Sequence, residues 1–327
     1  MATILVTGGA GYIGAHACKA LRAAGHVPVT YDSLVTGWRD AVRFGPFEQG
    51  CLTDRARLDA VMAAHRPDAV MHFAALSNVG EASRDPGRYW RNNVLGSLNL
   101  IEAMLSAGVR RIVFSSTCAT YGEQDGVLLD ETSPQMPLNA YGASKRAVED
   151  MLRDFAAAHG LGWVSFRYFN VAGADPDGEI GEFHDPETHL IPLTLMAAMG
   201  RRPALTVHGS DYPTRDGTCI RDYVHVCDLV DAHLAGLARL MAGGEGGVFN
   251  LGTGTGYTVR EVIAAAEAVT GCRVPVVEGP RRPGDAVSLV SGSARAAREL
   301  GWQPRRSSLE RMIADAWAWH RGNGFAA

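Results

Sequence analysis

The sequence predicts an α/β fold, a doubly wound parallel sheet with a smaller C-terminal α/β lobe. Two observations carry this reading. Short apolar runs alternate with helix-period segments through the first half of the chain, as parallel strands and their crossovers do. Three glycines, Gly8, Gly11 and Gly14, then close the first apolar run at a spacing of three.

The runs are TILVT, VPVTYD, AVMHF, RIVFSS and WVSFRYF, and the helical segments between them cover 12–24, 54–65, 89–107 and 141–159. After Asn170 the alternation gives way to a polar stretch with Gly and Pro, 173–188, of a length usually reserved for functional covers. Helical spacing resumes at Leu190. Segments 224–241 and 248–251 are expected to return to the sheet, while 190–222 and 256–327 build the smaller lobe. The expected division is therefore a dinucleotide-binding domain over 1–175, rejoined by 224–255, and a lobe over 176–327.

At 327 residues, 46% hydrophobic and 20% charged, the chain has the balance of a soluble globular enzyme. Its net charge of -4 offers no broad field for nucleic acid, so an anionic ligand must be held by a few local cations. Cys18, Cys51, Cys118, Cys219, Cys227 and Cys272 are scattered without a CxxC pair, and neither a disulfide framework nor a metal site is expected. The first strand begins at Thr3, and the longest apolar stretch, near 190–199, is too short to span a bilayer. A cytoplasmic protein without a membrane partner is expected.

TGGAGYIG places its glycines between a strand and a helix, where the absent side chains allow a tight turn and close approach to a pyrophosphate. Such a turn can serve packing alone; its βα context makes it a dinucleotide site of the Rossmann type. Asp32 ends the second run, where a carboxylate accepts from an unmodified ribose and repels a 2′-phosphate, favouring NAD over NADP.

Tyr141 and Lys145, in YGASK, share one helix face at i, i+4. An ammonium there is expected to lower the phenol pKa so that the phenol exchanges protons with a substrate hydroxyl. By itself YxxxK is common by chance, but here it follows the glycine turn and FSSTCATYG in order. Thr117, just past RIVFSS, can relay that proton or simply cap the strand end; the two roles are compatible.

TGGAGYIG, HFAAL, NNVLGS, SSTCATYG, YGASK, RYFNVAG, DGTCIRDYVHV, NLGTGTG and RRPGD span Thr7 to Asp285. Carried in that order, they make the chain resemble the UDP-glucose 4-epimerase family, an extended branch of the short-chain dehydrogenases. The resemblance implies a tightly held NAD, with Tyr141 taking the O4 proton as the C4 hydride leaves, Lys145 holding the cofactor ribose, and a 4-keto sugar that turns over before reduction. It implies Gly8, Gly11, Tyr12, Ile13 and Gly14 at the pyrophosphate, and Asp32 and Ser33 at the ribose. Leu52, Phe73, Ala74, Asn92 and Ser115 would serve the rest of the cofactor, and Tyr168 the nicotinamide. Asn170, His189, Leu190, His208, Arg221, Arg282 and Asp285 would hold UDP, the arginines neutralising the diphosphate.

Four positions depart from the family pattern. Cys51 stands where an Asp usually accepts from adenine, and a thiol is a weak acceptor, so weaker NAD retention is expected. Ser77 replaces a Lys near the cofactor phosphates, and His208 an aromatic under uracil. Leu289, smaller than the Tyr of some members, leaves room for UDP-N-acetylhexosamines, with UDP-pentoses as a further alternative. A same-fold dehydratase would need an Asp-Glu after Thr117, where Cys118 and Ala119 stand. A plain dehydrogenase needs no arginine pair, and an NAD-sensing regulator needs no Tyr141–Lys145 pair. The resemblance also implies a homodimer through the helices at 89–107 and 141–159.

Overall fold

Five residues of alternating orientation, Thr3–Thr7, form β1, with Ile4 and Val6 facing one hydrophobic layer and Leu5 the other. Both faces are buried, as the centre of a parallel sheet requires. The computed structural model describes residues 1–124, 126–282 and 285–322. The strands β2 (Val27–Asp32), β3 (Phe47–Gln49), β4 (Ala69–His72), β5 (Arg111–Ser115) and β6 (Gly162–Tyr168) join β1, and so does the later Gly247–Leu251. With that last strand the sheet runs in the order Gly247–Leu251, β6, β5, β4, β1, β2, β3, and every neighbouring pair is parallel.

The chain moves outward from β1 to β3 and then crosses back to β4 on the other side of β1. That reversal opens a crevice at the carboxyl ends of β1 and β4, where open α/β sheets bind ligands. One layer is covered by α1 (Tyr12–Ala23) and the later helix Val226–Met241. The other is covered by α2 (Arg55–His65), α5 (Gly96–Ser106) and α6 (Ala140–His159). Two short helices, α3 (Val79–Arg84) and α4 (Pro86–Tyr89), follow β4. Helix ends follow local chemistry: Asp54 caps α2, Asn139 caps α6, and Gly160, at φ 67°, terminates α6 in the left-handed region.

The helix expected over 89–107 is not uniform. Residues Trp90–Leu95 form a π-helical stretch between α4 and α5. It carries buried Asn93, whose amide donates to Leu76 O and Ser144 Oγ and whose carbonyl accepts from Leu76 N at 2.9 Å. The third sheet strand, β3, is too short to have been read from the sequence.

Beyond β6, β7 (Asn170–Ala172) pairs with β9 (Ile220–His225), which also pairs with β11 (Gly256–Thr258) and β13 (Ser288–Leu289). The strand β8 (Leu205–His208) pairs with β12 (Val276–Gly279). Between them run α7 (Leu190–Ala198), α8 (Val226–Met241), β10 (Gly247–Leu251) and α9 (Val259–Thr270); α10 (Ala294–Leu300) and α11 (Leu309–Arg321) follow. The helices α7, α9 and α11 pack a separate core around Leu195, Val207, Val262, Met312 and Ile313. Among the described residues no helix is long and apolar enough to cross a membrane.

Candidate active site

The turn after β1 is set by main-chain proximity. Gly8 lies at φ +74°, and a Cβ there would fall 2.5 Å from Ala74 N; a Cβ on Gly14 would fall 2.1 Å from Gly8 O. Gly11 caps α1 with no side-chain partner for the first turn, leaving amides of Tyr12, Ile13 and Gly14 for an anion. Tyr12 points its hydroxyl away, onto Gly173 O at 2.6 Å, and so ties α1 to the chain just past β7.

Over this turn opens a cavity of about 490 Å³, lined by Gly8, Gly11, Asp32, Ser33, Phe73 and Ala74. Its far end is formed by Cys51, Leu52 and Asn92, with Arg91 beside them, a cation that the sequence reading passed over. Asp32 is held by Ala10 N at 3.0 Å and Leu34 N at 2.8 Å, while burial raises its carboxyl pKa. Cys51 Sγ sits 3.1 Å from Thr53 Oγ1. A backbone cradle that any Cβ would fill, next to a buried carboxylate at the end of β2, fits a dinucleotide with an unmodified ribose.

At the carboxyl end of β5 the residues of the proton-transfer pair come together. The hydroxyl of Thr117 accepts from Ala119 N at 3.1 Å, and it acts on the Tyr141 phenol against the effect of burial. Lys145 Nζ donates to Ser115 O at 2.7 Å and lies 4.8 Å from the centre of the Phe114 ring. Ser115 Oγ in turn meets the Tyr168 hydroxyl. All five expected residues thus lie at this corner, four of them buried and Tyr141 half-buried.

The electrostatics differ from expectation. Burial pushes the Tyr141 phenol up to about 12, with the Thr117 hydroxyl opposing, and lowers Lys145 to about 7, with Glu149 opposing. The expected lowering of the phenol by the ammonium is not seen: burial dominates, and it raises the phenol.

Sequence reasoning missed the residues behind this corner. Glu149, one turn past Lys145, is fully buried and paired with Arg167 of β6. It also accepts from Ser116 Oγ at 2.5 Å, and Arg167 reaches the Tyr121 hydroxyl at 2.9 Å. The only sequence signal was a Glu four residues beyond Lys145 on the same face.

At the other end of the cleft, Arg221 on β9 donates to Ala286 O at 2.9 Å and pairs with Asp285. Asn170 Nδ2 donates to Asp222 O at 3.0 Å, which joins β7 to the same strand. Leu289 lies opposite Arg221 in the β9–β13 register, and His208 opposite Gly279. Arg282 is exposed. Pro283 and Gly284, within RRPGD, lie outside the described residues, as do 323–327 of the expected lobe. Leu190 opens α7, but the imidazole of His189, its N-cap, is engaged at Nδ1 by Glu182 rather than aimed at these arginines.

A glycine cradle, a ribose-facing carboxylate and a Thr–Tyr–Lys corner on a doubly wound parallel sheet define a dinucleotide-dependent enzyme of the Rossmann class. The family model for the NAD dependent epimerase/dehydratase family matches residues 4–252, and the chain belongs to that family. It is 51% identical to a UDP-glucose 4-epimerase of Rhizobium leguminosarum bv. trifolii over 97% of each chain. The UDP-glucose 4-epimerase of Brucella ovis, solved with NAD, superposes at a TM-score of 0.94 with 47% identity, covering 97% of this chain and 98% of that one. That of Stenotrophomonas maltophila, solved with NAD and formylated UDP-arabinopyranose, gives 0.96 with 42% identity over 100% of both.

Proposed function

We propose that this chain is an NAD-dependent epimerase that interconverts UDP-glucose and UDP-galactose by inverting C4 through a transient 4-keto sugar. The observation that carries this reading is Lys145 Nζ buried against Ser115 O at the carboxyl edge of β5, with Tyr141 one turn before it on α6 and Thr117 two residues past Ser115. NAD bound over the glycine turn supplies the acceptor, and then the donor, of the C4 hydrogen.

The chain's own residues handle the proton and the geometry. Tyr141 receives the O4 proton, directly or through Thr117, and returns it after the sugar has turned. Lys145, fixed by Ser115 O, would hold the cofactor ribose and bring positive charge to the phenol. Arg221 and Arg282 hold the diphosphate, and Asp285 receives ribose hydroxyls in exchange for part of its pairing with Arg221. Cys118 and Ala119 after Thr117 supply no acid or base for a dehydration. The same reading carries a homodimer formed through α5 and α6 and a cytoplasmic setting in galactose metabolism; six cysteines, all free, suit a reducing compartment.

The purified chain, given UDP-galactose without added NAD and followed by NMR, should form UDP-glucose with no net redox change. Tyr141→Phe should retain NAD and lose roughly 10²–10⁴-fold in rate. A variant as fast as its parent would refute the assignment, and turnover of UDP-N-acetylgalactosamine or UDP-arabinopyranose ahead of UDP-galactose would move the substrate class.

A further inference from the structure

The cysteines led the sequence reading to expect no metal, yet EFHDPETH, inside the long loop before α7, brings four other donors to one point. Glu182, His184, Glu187 and His189 each offer a ligand atom, and these atoms all lie within 4.8 Å of one another. We propose that these four side chains form a closed, structural site for a zinc-type transition-metal dication.

The spacing is that of a coordination shell. Bonds of about 2.0–2.1 Å to imidazole and carboxylate put neighbouring donors of a tetrahedral zinc ion about 3.3 Å apart. His184 Nδ1 lies 3.4 Å from Glu182 Oε1 and 3.5 Å from Glu187 Oε2, and His189 Nδ1 lies 3.6 Å from Glu187 Oε1. On binding, the His189–Glu182 separation, 2.5 Å, must open, and the wider separations, up to 4.8 Å, must close. Three of these contacts are too long for good hydrogen bonds, and His184 Nδ1 is buried with no hydrogen-bond partner.

Charge leads to the same place. The side chains of Glu182 and Glu187 are only 3% and 7% exposed, and among the described residues no Lys or Arg pairs with either. A dication cancels both carboxylates while leaving the imidazoles neutral, the state in which they ligate. Two nitrogen and two oxygen donors suit zinc and its neighbours in the transition series, whereas calcium and magnesium take oxygen shells. Four protein donors leave no open position, so the ion would be structural.

The surroundings pre-orient the donors. Glu187 Oε1 accepts from Thr188 N at 2.7 Å and His189 N at 2.8 Å, and the Glu182 carbonyl accepts from Trp319 Nε1 of α11 at 3.1 Å. The ion would therefore pin an irregular loop between α11 and the first turn of α7, and it would claim the His189 imidazole for itself.

The full chain with its NAD, purified without chelators, should carry about one zinc-type ion per chain by elemental analysis. Chelator-stripped protein should rebind one equivalent of Zn²⁺ with a rise in Tm, and Co²⁺ in its place should give the strong visible absorption of tetrahedral coordination. His184→Gln and Glu187→Gln, checked for folding by circular dichroism, should each weaken Zn²⁺ binding by more than the roughly 10–100-fold that outer-shell changes cost. If the stripped parent takes up no stoichiometric Zn²⁺, or the folded His184→Gln and Glu187→Gln variants bind it as the parent does, the cluster is a set of ion pairs and the proposal fails.

Discussion

Lys145 is where function and stability are most plainly opposed in a single residue. Its ammonium is buried against Phe114 and the end of β5, and its pKa falls from 10.5 to about 7. The unfolded chain keeps the ordinary value. Between pH 7 and 10.5 the unfolded state therefore holds more protons, so the burial penalty is complete below pH 7 and fades as pH rises towards 10.5. At neutral pH that penalty is on the order of 4 kcal/mol, since each pKa unit is worth about 1.4. Losing the hydrogen bond to Ser115 O costs about 1–3 kcal/mol, which is less. Lys145→Met should accordingly abolish turnover while raising the Tm of NAD-stripped protein at pH 7, with the gain shrinking as pH approaches 10.5. Melting curves of parent and variant across that range check the sign, and a Tm gain that grows with pH would show that burial is not the cause.

At the scale of elements, the glycine turn shows how one chemical change takes opposite signs. A methyl group on Gly14 meets the Gly8 carbonyl and the Gly9 Cα, main-chain atoms that cannot step aside without dismantling the β1–α1 turn. On Gly80, within α3, it meets only the Asn78 Oδ1 at 3.4 Å, an ordinary contact. Gly14→Ala should lower Tm and yield protein without bound NAD, whereas Gly80→Ala should be neutral or stabilise by up to about 1 kcal/mol. Paired melts with cofactor quantitation read both outcomes. The turn was legible because a strand, a glycine repeat and a helix follow within twelve residues, and Tyr141, Lys145 and Thr117 because motif order fixed their elements. What stayed hidden depends on contacts distant in sequence. Glu149 became significant only through Arg167 on another element, β3 is three residues long, and the π-helical stretch answers to Asn93 packing on Leu76 and Ser144. His189 was assigned by motif position, whereas Glu182, seven residues earlier, decides where its ring nitrogen points.

Over the whole molecule, a parallel sheet supplies the cofactor cradle and the proton-transfer corner, and the second core around α7, α9 and α11 supports the strand that carries Arg221. For inversion, the keto sugar must leave one face of its site and present the other without leaving the protein. Only the nucleotide end can be the tether, because the sugar's own contacts have to break. Arg221 is backed by Ala286 O and Asp285, and it joins β9 to β13, so its removal also disturbs the sheet. Arg282 is exposed and ends no strand, which makes it the cleaner probe of tethering. Arg282→Ala should fold as the parent does and raise KM for UDP-galactose. It should also release more keto sugar per turnover, leaving reduced nicotinamide stranded on the protein. Near-ultraviolet absorbance during turnover measures that stranded fraction: growth over successive cycles, with activity falling in step, is the expected result. If the fraction matched that of the parent while KM rose, Arg282 would contribute to capture alone, and the tether would have to be sought in Arg221 and Asn170.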